Sequence, residues 1–293
     1  MLLSPSSAYL LISHGSHDLR PQRAMAQLAQ LLRIRLASEQ AKARQTISPT
    51  ILPTISPQGS SGDGDLLTAN GLSSQPLGAT RGEFNSPSKS APLVGTATLE
   101  LADLPLHQQI VRFAQLAKGA GCQELKLLPL FLLRGVHVME DIPWQVSLAQ
   151  QKLGSEMVIH LLPHLGANPA LVRLLRNQWA KLDGDAKILL SHGTSRPGVQ
   201  EETGAVANQL GAVAADWSVQ PSLWEQVSII ANSGAKRIAI LAYFFFEGRI
   251  TDAIAQMLLE IQQKFPQVQL NLGKPIGVSE ALVDLIMDGI RQQ

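Results

Sequence analysis

An almost unbroken apolar run at residues 8–13 is followed by a segment, 21–39, in which Met25, Leu28, Leu31, Leu32 and Arg35 recur at helical spacing behind Asp18. A short continuous apolar run fits a buried strand, and a period of three to four residues fits an amphipathic helix. The alternation continues downstream. Strands are expected at 94–100, 124–130 and 157–162, with helices at 105–118, 142–152 and 170–181. A second series follows in the same order, with strands at 187–191, 212–217, 236–242 and 267–272 and helices at 198–210, 221–232, 250–262 and 279–291. In the helix at 250–262, Ile250, Ile254, Met257, Leu258 and Ile261 mark one apolar face.

Strand and helix alternating throughout predict an α/β fold class, with two tandem flavodoxin-like domains whose parallel sheets are flanked by helices through right-handed crossovers. The expected domains are 1–183 and 184–293. One stretch breaks the pattern. From 45 to 92, Ser, Thr, Pro and Gly supply 26 of 48 residues, which leaves too little apolar surface to offset chain entropy. A low-complexity, disordered insertion is therefore expected at 44–93.

The two series are copies. Leu10-Leu11-Ile12-Ser13-His14-Gly15-Ser16 and Leu189-Leu190-Ser191-His192-Gly193-Thr194 repeat one apolar run ending in His-Gly. Gly121 to Gly135 and Gly234 to Gly248 both span fourteen residues across a strand-like run. Pro105 and Pro221 add a third anchor, each opening a helix after an apolar stretch that ends in an acid, Glu100 or Asp216. A repeat this long means tandem domains rather than a short-period solenoid.

The chain has 293 residues, 45% of them hydrophobic, and a formal net charge of +1. That is enough for two ordinary cores, and no dominant basic patch points to nucleic acid. Cys122 is the only cysteine, so intramolecular disulfides and all-thiolate metal sites are excluded and a metal must meet His, Asp or Glu. Without a secretory signal pattern or an apolar membrane span, a soluble, cytoplasmic protein is expected.

In open parallel sheets ligands bind beyond the carboxyl ends of the strands, where His14, Glu100 and the loop bearing His137 are all expected. Two imidazoles and a carboxylate suit Fe²⁺ or Co²⁺ while leaving positions open, and imidazole also accepts protons near neutral pH. Gly15 and Gly135 would let a bulky planar ligand approach the backbone. Each residue also has a plainer reading: His14 as a turn residue bonded locally, His137 as a core histidine, Glu100 as an exposed strand end. Glu140 and Asp141 favour the N-terminus of the next helix, and both are secondary metal candidates. Phe244, Phe245 and Phe246 fit either a stacking strip or core, and His160 and His164 read as structural. Arg20, Arg134 and Arg249 fall in rim loops, where they fit either solvated loop arginines or partners for the carboxylates of an acidic ligand.

The segment Pro129-Leu-Phe-Leu-Leu-Arg-Gly-Val-His-Val-Met-Glu-Asp-Ile-Pro143, together with His14-Gly15-Ser16, resembles the CbiX/SirB family of class II chelatases. Thr98-Leu-Glu-Leu-Ala102 and Leu165-Gly-Ala-Asn-Pro169 also look like segments of that family. The resemblance implies insertion of Fe²⁺, or else Co²⁺, into sirohydrochlorin, an octacarboxylate tetrapyrrole, in sirohaem or cobalamin biosynthesis, with no further cofactor. It makes His14 and His137 the metal-binding and proton-accepting pair, with Glu100 assisting. Ile250 falls where a second His137 would stand. The resemblance thus implies that the second half lost the metal site and serves as the facing wall of a cleft, His192 being a possible secondary ligand. A pseudo-twofold monomer whose halves mimic a dimer follows. The competing reading is a non-catalytic tetrapyrrole or metal carrier using the same cleft. A histidine phosphatase is disfavoured because Ser13 occupies the place where that signature needs arginine.

Overall fold

Alternation of side chains along the strands decides how the two halves are joined. In β1 (Ser7–Ser13), Ala8, Leu10 and Ile12 face one way and Tyr9 and Leu11 the other, and all five are buried. A strand buried on both faces is a central strand of a parallel sheet covered by helices. The computed structural model, which describes residues 7–47, 92–194, 196 and 198–292, contains two such sheets.

The first sheet has the order β2 (Val94–Thr98), β1, β3 (Glu124–Pro129), β4 (Val158–Leu161), and the second β6 (Val213–Asp216), β5 (Ala186–Ser191), β7 (Arg237–Ala242), β8 (Gln269–Gly273). Every pairing is parallel, and the two orders are the same when read from the start of each half. The fold is the tandem α/β arrangement expected from the alternating pattern. Intervening helices are α1 (Leu19–Ile47), α2 (Leu106–Gly119), α3 (Ile142–Leu153), α4 (Ala170–Trp179), α5 (Val199–Gln209), α6 (Leu223–Asn232), α7 (Arg249–Lys264) and α8 (Glu280–Arg291).

Outer faces make separate cores. Leu10 and Ile12 pack with Ile110 and Ala114 of α2 and Ala149 of α3, while Ile188 and Leu190 pack with Val227 of α6 and Ile254 and Leu258 of α7. The inner faces share one core. Tyr9 and Leu11 of the first sheet and Leu189 and Leu241 of the second belong to the same buried cluster, together with Leu28, Leu32 and Leu36 of α1, Leu175 of α4 and Ile286 and Ile290 of α8. Polar contacts frame it: Arg35 of α1 meets Asp284 of α8 at 2.5 Å, Arg291 meets Glu39, and Asn168 Nδ2 donates to the Leu285 carbonyl at 3.1 Å.

Helix α1 reaches Ile47, so the first four residues of the expected insertion are helical. The run Ala41-Lys-Ala-Arg-Gln45 consists of strong helix formers, and their propensity extends the helix. Of the rest of the expected insertion, 48–91 lies outside the described residues. The described chain resumes just before β2, where Tyr9 N–H donates to the Leu93 carbonyl at 2.9 Å, at the end of the sheet opposite His14. Among the described residues no helix is long and apolar enough to cross a membrane.

Because the inner core is common to both sheets, Leu32→Ala should lower the unfolding free energy by about 2–5 kcal/mol. Denaturation followed by the tryptophans of both halves, Trp144 and Trp179 against Trp217 and Trp224, should show one shifted transition. Two separated transitions would contradict a shared core.

Candidate metal centre in the cleft between the halves

His14 leaves the end of β1 and Glu100 follows the end of β2, and the backbone ties the two loops together. Leu99 N–H donates to the Ser13 carbonyl at 2.9 Å and Glu100 N–H to the His14 carbonyl at 2.8 Å. β2 ends at Thr98, two residues earlier than its apolar pattern suggested, so Glu100 is a loop residue. Gly15 makes this approach possible. It has φ +107°, and a Cβ there would lie 2.1 Å from the Glu100 carbonyl oxygen. Its task is therefore to admit the neighbouring loop rather than a planar ligand. At Gly135, by contrast, a Cβ would meet open space.

His137 opens a π-helical turn, His137–Asp141, that leads into α3. Such turns widen a helix locally and recur at functional sites. Asp141 Oδ2 accepts a hydrogen bond from His137 Nδ1 at 2.7 Å. An ionised carboxylate can only accept, so Nδ1 carries the proton and Nε2 presents its lone pair outward. Asp141 is thus the orienting partner of His137. The spacing of four residues is the signal in the sequence for this pair, which makes Asp141 a partner of the imidazole in addition to the helix-dipole and secondary metal roles expected of it.

His14, Glu100 and His137 converge, with one ligand atom from each lying within 4.8 Å of the others. His14 Nε2 and Glu100 Oε2 are 3.9 Å apart, and the two imidazoles meet edge to face with centroids 4.7 Å apart. A first-row ion bonds such donors at about 2.1 Å, so a small rotation of these partly exposed side chains encloses one ion. Two nitrogens and one oxygen on one side leave the remaining positions free for an incoming ligand.

That free side opens on a cavity of about 390 Å³ between the halves. His14, Gly135 and His137 line it from the first half, and His192, Phe244 and Phe245 from the second. Phe246 instead packs against the shared inner core.

The second half repeats the backbone but not the donors. Ser218 N–H donates to the His192 carbonyl at 3.0 Å, as Glu100 does to His14, so Ser218 and not Asp216 is the counterpart of Glu100. The anchor drawn from the two acids is off by two residues, because Asp216 pairs with Ser191 at the register position that Thr98 holds against Ser13. Asp216 is buried and bonded to Ser191 Oγ. Burial pushes its carboxyl pKa up, against the hydrogen bond from Ser191. Pro129 and Ala242 hold equivalent register positions, and counting on from them makes Ile250 the counterpart of His137. His192 lines the cavity and, among the described residues, stands outside the donor cluster.

Glu140 also stands outside it. Its carboxylate accepts from Arg196 of the second half at 2.8 Å, because the π-helical turn that aims His137 inward carries residue 140 to the rim. Among the rim arginines, Arg134 contacts Glu202 at 2.8 Å and Arg20 is held by Asp18 and Asp252. His160 is exposed on β4. His164 borders a separate cavity of about 190 Å³ against α8, where burial lowers its pKa.

A family model described as CbiX matches residues 80–182 and 186–293, one segment per half. The first segment includes Glu100 and His137 but not His14, which the chain between α1 and β2 separates from it. A sirohydrochlorin ferrochelatase of Priestia megaterium is 21% identical over 213 residues, 68% of this chain and 77% of its own length. Among solved structures, SirB from Bacillus subtilis with Fe³⁺ superposes with a TM-score of 0.65 at 16% identity, covering 98% of this chain and 95% of that one. CbiX, described as the terminal enzyme of sirohaem biosynthesis in denitrifying bacteria, gives a TM-score of 0.55 at 17% identity over 97% and 98% of the two chains.

Two outcomes follow from the geometry. Gly15→Ala should displace the Glu100 loop and weaken Co²⁺ binding, read by the visible spectrum of the bound ion, while far-ultraviolet dichroism stays native. The hydrogen bonds from Arg20 hold the Asp18 carboxyl at about 2, down from 3.8. A depressed acid contributes stability that is complete above about pH 4 and is lost as pH falls toward 2. The Tm deficit of Asp18→Asn relative to the parent, measured from pH 6 downward, should close over that window.

Proposed function

The chain belongs to the CbiX family, and on that premise we propose that it is a sirohydrochlorin chelatase, inserting a divalent metal into the tetrapyrrole with release of two protons. The observation that carries this reading is the convergence of His14, Glu100 and His137 within 4.8 Å at the edge of a cavity walled by both halves.

In this reading the metal substrate sits on the Nε2 atom of His137, a nitrogen of His14 and the Glu100 carboxylate. The hydrogen bond from His137 Nδ1 to Asp141 fixes the ring orientation and turns the Nε2 lone pair toward the metal. The macrocycle enters from the second half, with one face against Phe244 and Phe245. Its pyrrole nitrogens then replace protein donors one at a time. As the metal leaves them, His14, His137 and Glu100 become free to accept the two pyrrole protons, so that ligand exchange and proton transfer use the same atoms.

Fe²⁺ is the preferred metal, with Co²⁺ second, giving sirohaem or a cobalamin precursor. Both ions accept the same donor set. The chain acts as a monomer, since its own second half supplies the facing wall. It needs no cofactor beyond the metal substrate, and a reducing cytoplasm is the compartment in which ferrous ion persists.

The test is the anaerobic absorbance change of sirohydrochlorin with Fe²⁺ or Co²⁺ at substoichiometric protein. His14→Ala and His137→Ala should each lower kcat/KM by about 100-fold or more, and Asp141→Asn by about 10-fold to 100-fold. His192→Ala should keep most of the activity. Stoichiometric binding with no acceleration over metal alone would replace the enzyme with a carrier, and loss in His192→Ala alone would move the site to the other half.

A further inference from the structure

Ion pairs run between the halves on both flanks of the cleft, and the flanks differ in how firmly each arginine is held. On one flank the Arg20 guanidinium is bidentate to Asp252 at 3.0 and 2.5 Å, and Asp18 holds it from its own loop at 2.6 Å. On the other flank Arg134 of the first half contacts Glu202 of α5 at 2.8 Å, and Arg196 of the second half contacts Glu140 at 2.8 Å. Among the described residues each of these arginines has one carboxylate contact, and all four side chains are between 33% and 62% exposed. Single exposed pairs add little to stability and exchange partners readily.

Both of these arginines adjoin the cavity. Arg134 stands between Leu133 and Gly135, which line it, and Arg196 lies two residues beyond Thr194, which also does. Among the described residues the lining itself contains no carboxylate and no arginine or lysine. A flat ligand with an apolar ring and a charged edge would therefore place its ring against the walls and its carboxylates at this rim.

We propose that Arg134 and Arg196 receive the peripheral carboxylates of the macrocycle, releasing Glu202 and Glu140 as the substrate enters, while the Arg20–Asp252 flank stays closed as a fixed edge. The inference rests on the sirohydrochlorin reading and adds where that substrate is recognised. The exchange replaces one carboxylate by another, so each guanidinium keeps a charge-assisted bond and each released glutamate returns to water that already reaches it. Arg20 is unsuited to the same exchange, because its departure would leave Asp18 and Asp252 close together and uncompensated.

The experiment is equilibrium titration of the full chain with metal-free sirohydrochlorin, followed by the absorbance of the macrocycle, so that metal chemistry is absent. Arg134→Ala and Arg196→Ala should each raise Kd by about tenfold. Glu140→Gln and Glu202→Gln should lower it by about threefold, since each unmasks an arginine. Glu201→Gln removes the same charge from the same turn of α5 without freeing Arg134 or Arg196, and should change Kd by less than about twofold. The opposite signs carry the proposal. If arginine and glutamate variants all weaken binding, the pairs only hold the halves together and the inference fails. It also fails if the arginine variants bind as the parent does, or if Glu201→Gln tightens binding as much as Glu202→Gln. A parent chain that binds sirohydrochlorin but ignores these substitutions leaves the chelatase reading intact, whereas a parent that binds none overturns that reading itself.

Discussion

The apolar layer shared by the two sheets, with Tyr9 and Leu11 on one side, Leu189 and Leu241 on the other and helices α1, α4 and α8 completing it, sets the relation between the strand ends that carry the chemistry. The central strands β1, β5 and β7 are buried on both faces, so their odd and even positions are committed to different cores. A one-residue slip in β1 would exchange the inner and outer sets. With the register held, His14 and His192 emerge from equivalent corners and face the same cavity.

Duplication retained the backbone device and discarded half of the chemistry. Gly15 and Gly193 both take positive φ, at +107° and +81°, and a Cβ would collide with the Glu100 backbone at the first and with the Val219 and Asp216 side chains at the second. Both corners therefore favour glycine for the same backbone conformation. The side chains around them obey no such constraint. Where the first half has Glu100 and His137, the second has Ser218 and Ile250, and a lone imidazole is a poor metal site but an adequate part of a wall. The asymmetry gives the cleft one reactive side and one supporting side.

Electrostatics divides the flanks in a parallel way. Hydrogen bonds from a doubly engaged Arg20 pull the pKa of Asp18 and of Asp252 down, which marks that edge as a fixed joint at neutral pH. The edge beside His137 is built from single exposed pairs, Arg134 with Glu202 and Arg196 with Glu140. A rim that must admit an anionic ligand is better made from contacts that are easily exchanged than from a cluster whose opening leaves two acids uncompensated.

The amino-acid sequence by itself determined the order of strands and helices, the internal duplication and the family resemblance, because these depend on local periodicity and on motifs that survive in one dimension. It also carried His14, Glu100 and His137 as candidates, since residues that follow strand ends share one rim in a parallel sheet. What it lacked was register between distant segments. The equivalence of Glu100 with Ser218 rather than Asp216 depends on which amide reaches which carbonyl across a sheet. The pairing of Glu140 with Arg196 depends on the position of a π-helical turn against the other half of the chain. Only the tertiary structure decided that one glutamate meets the metal donors while another bridges the halves, since side-chain direction and long-range distance, not residue type, separate the two.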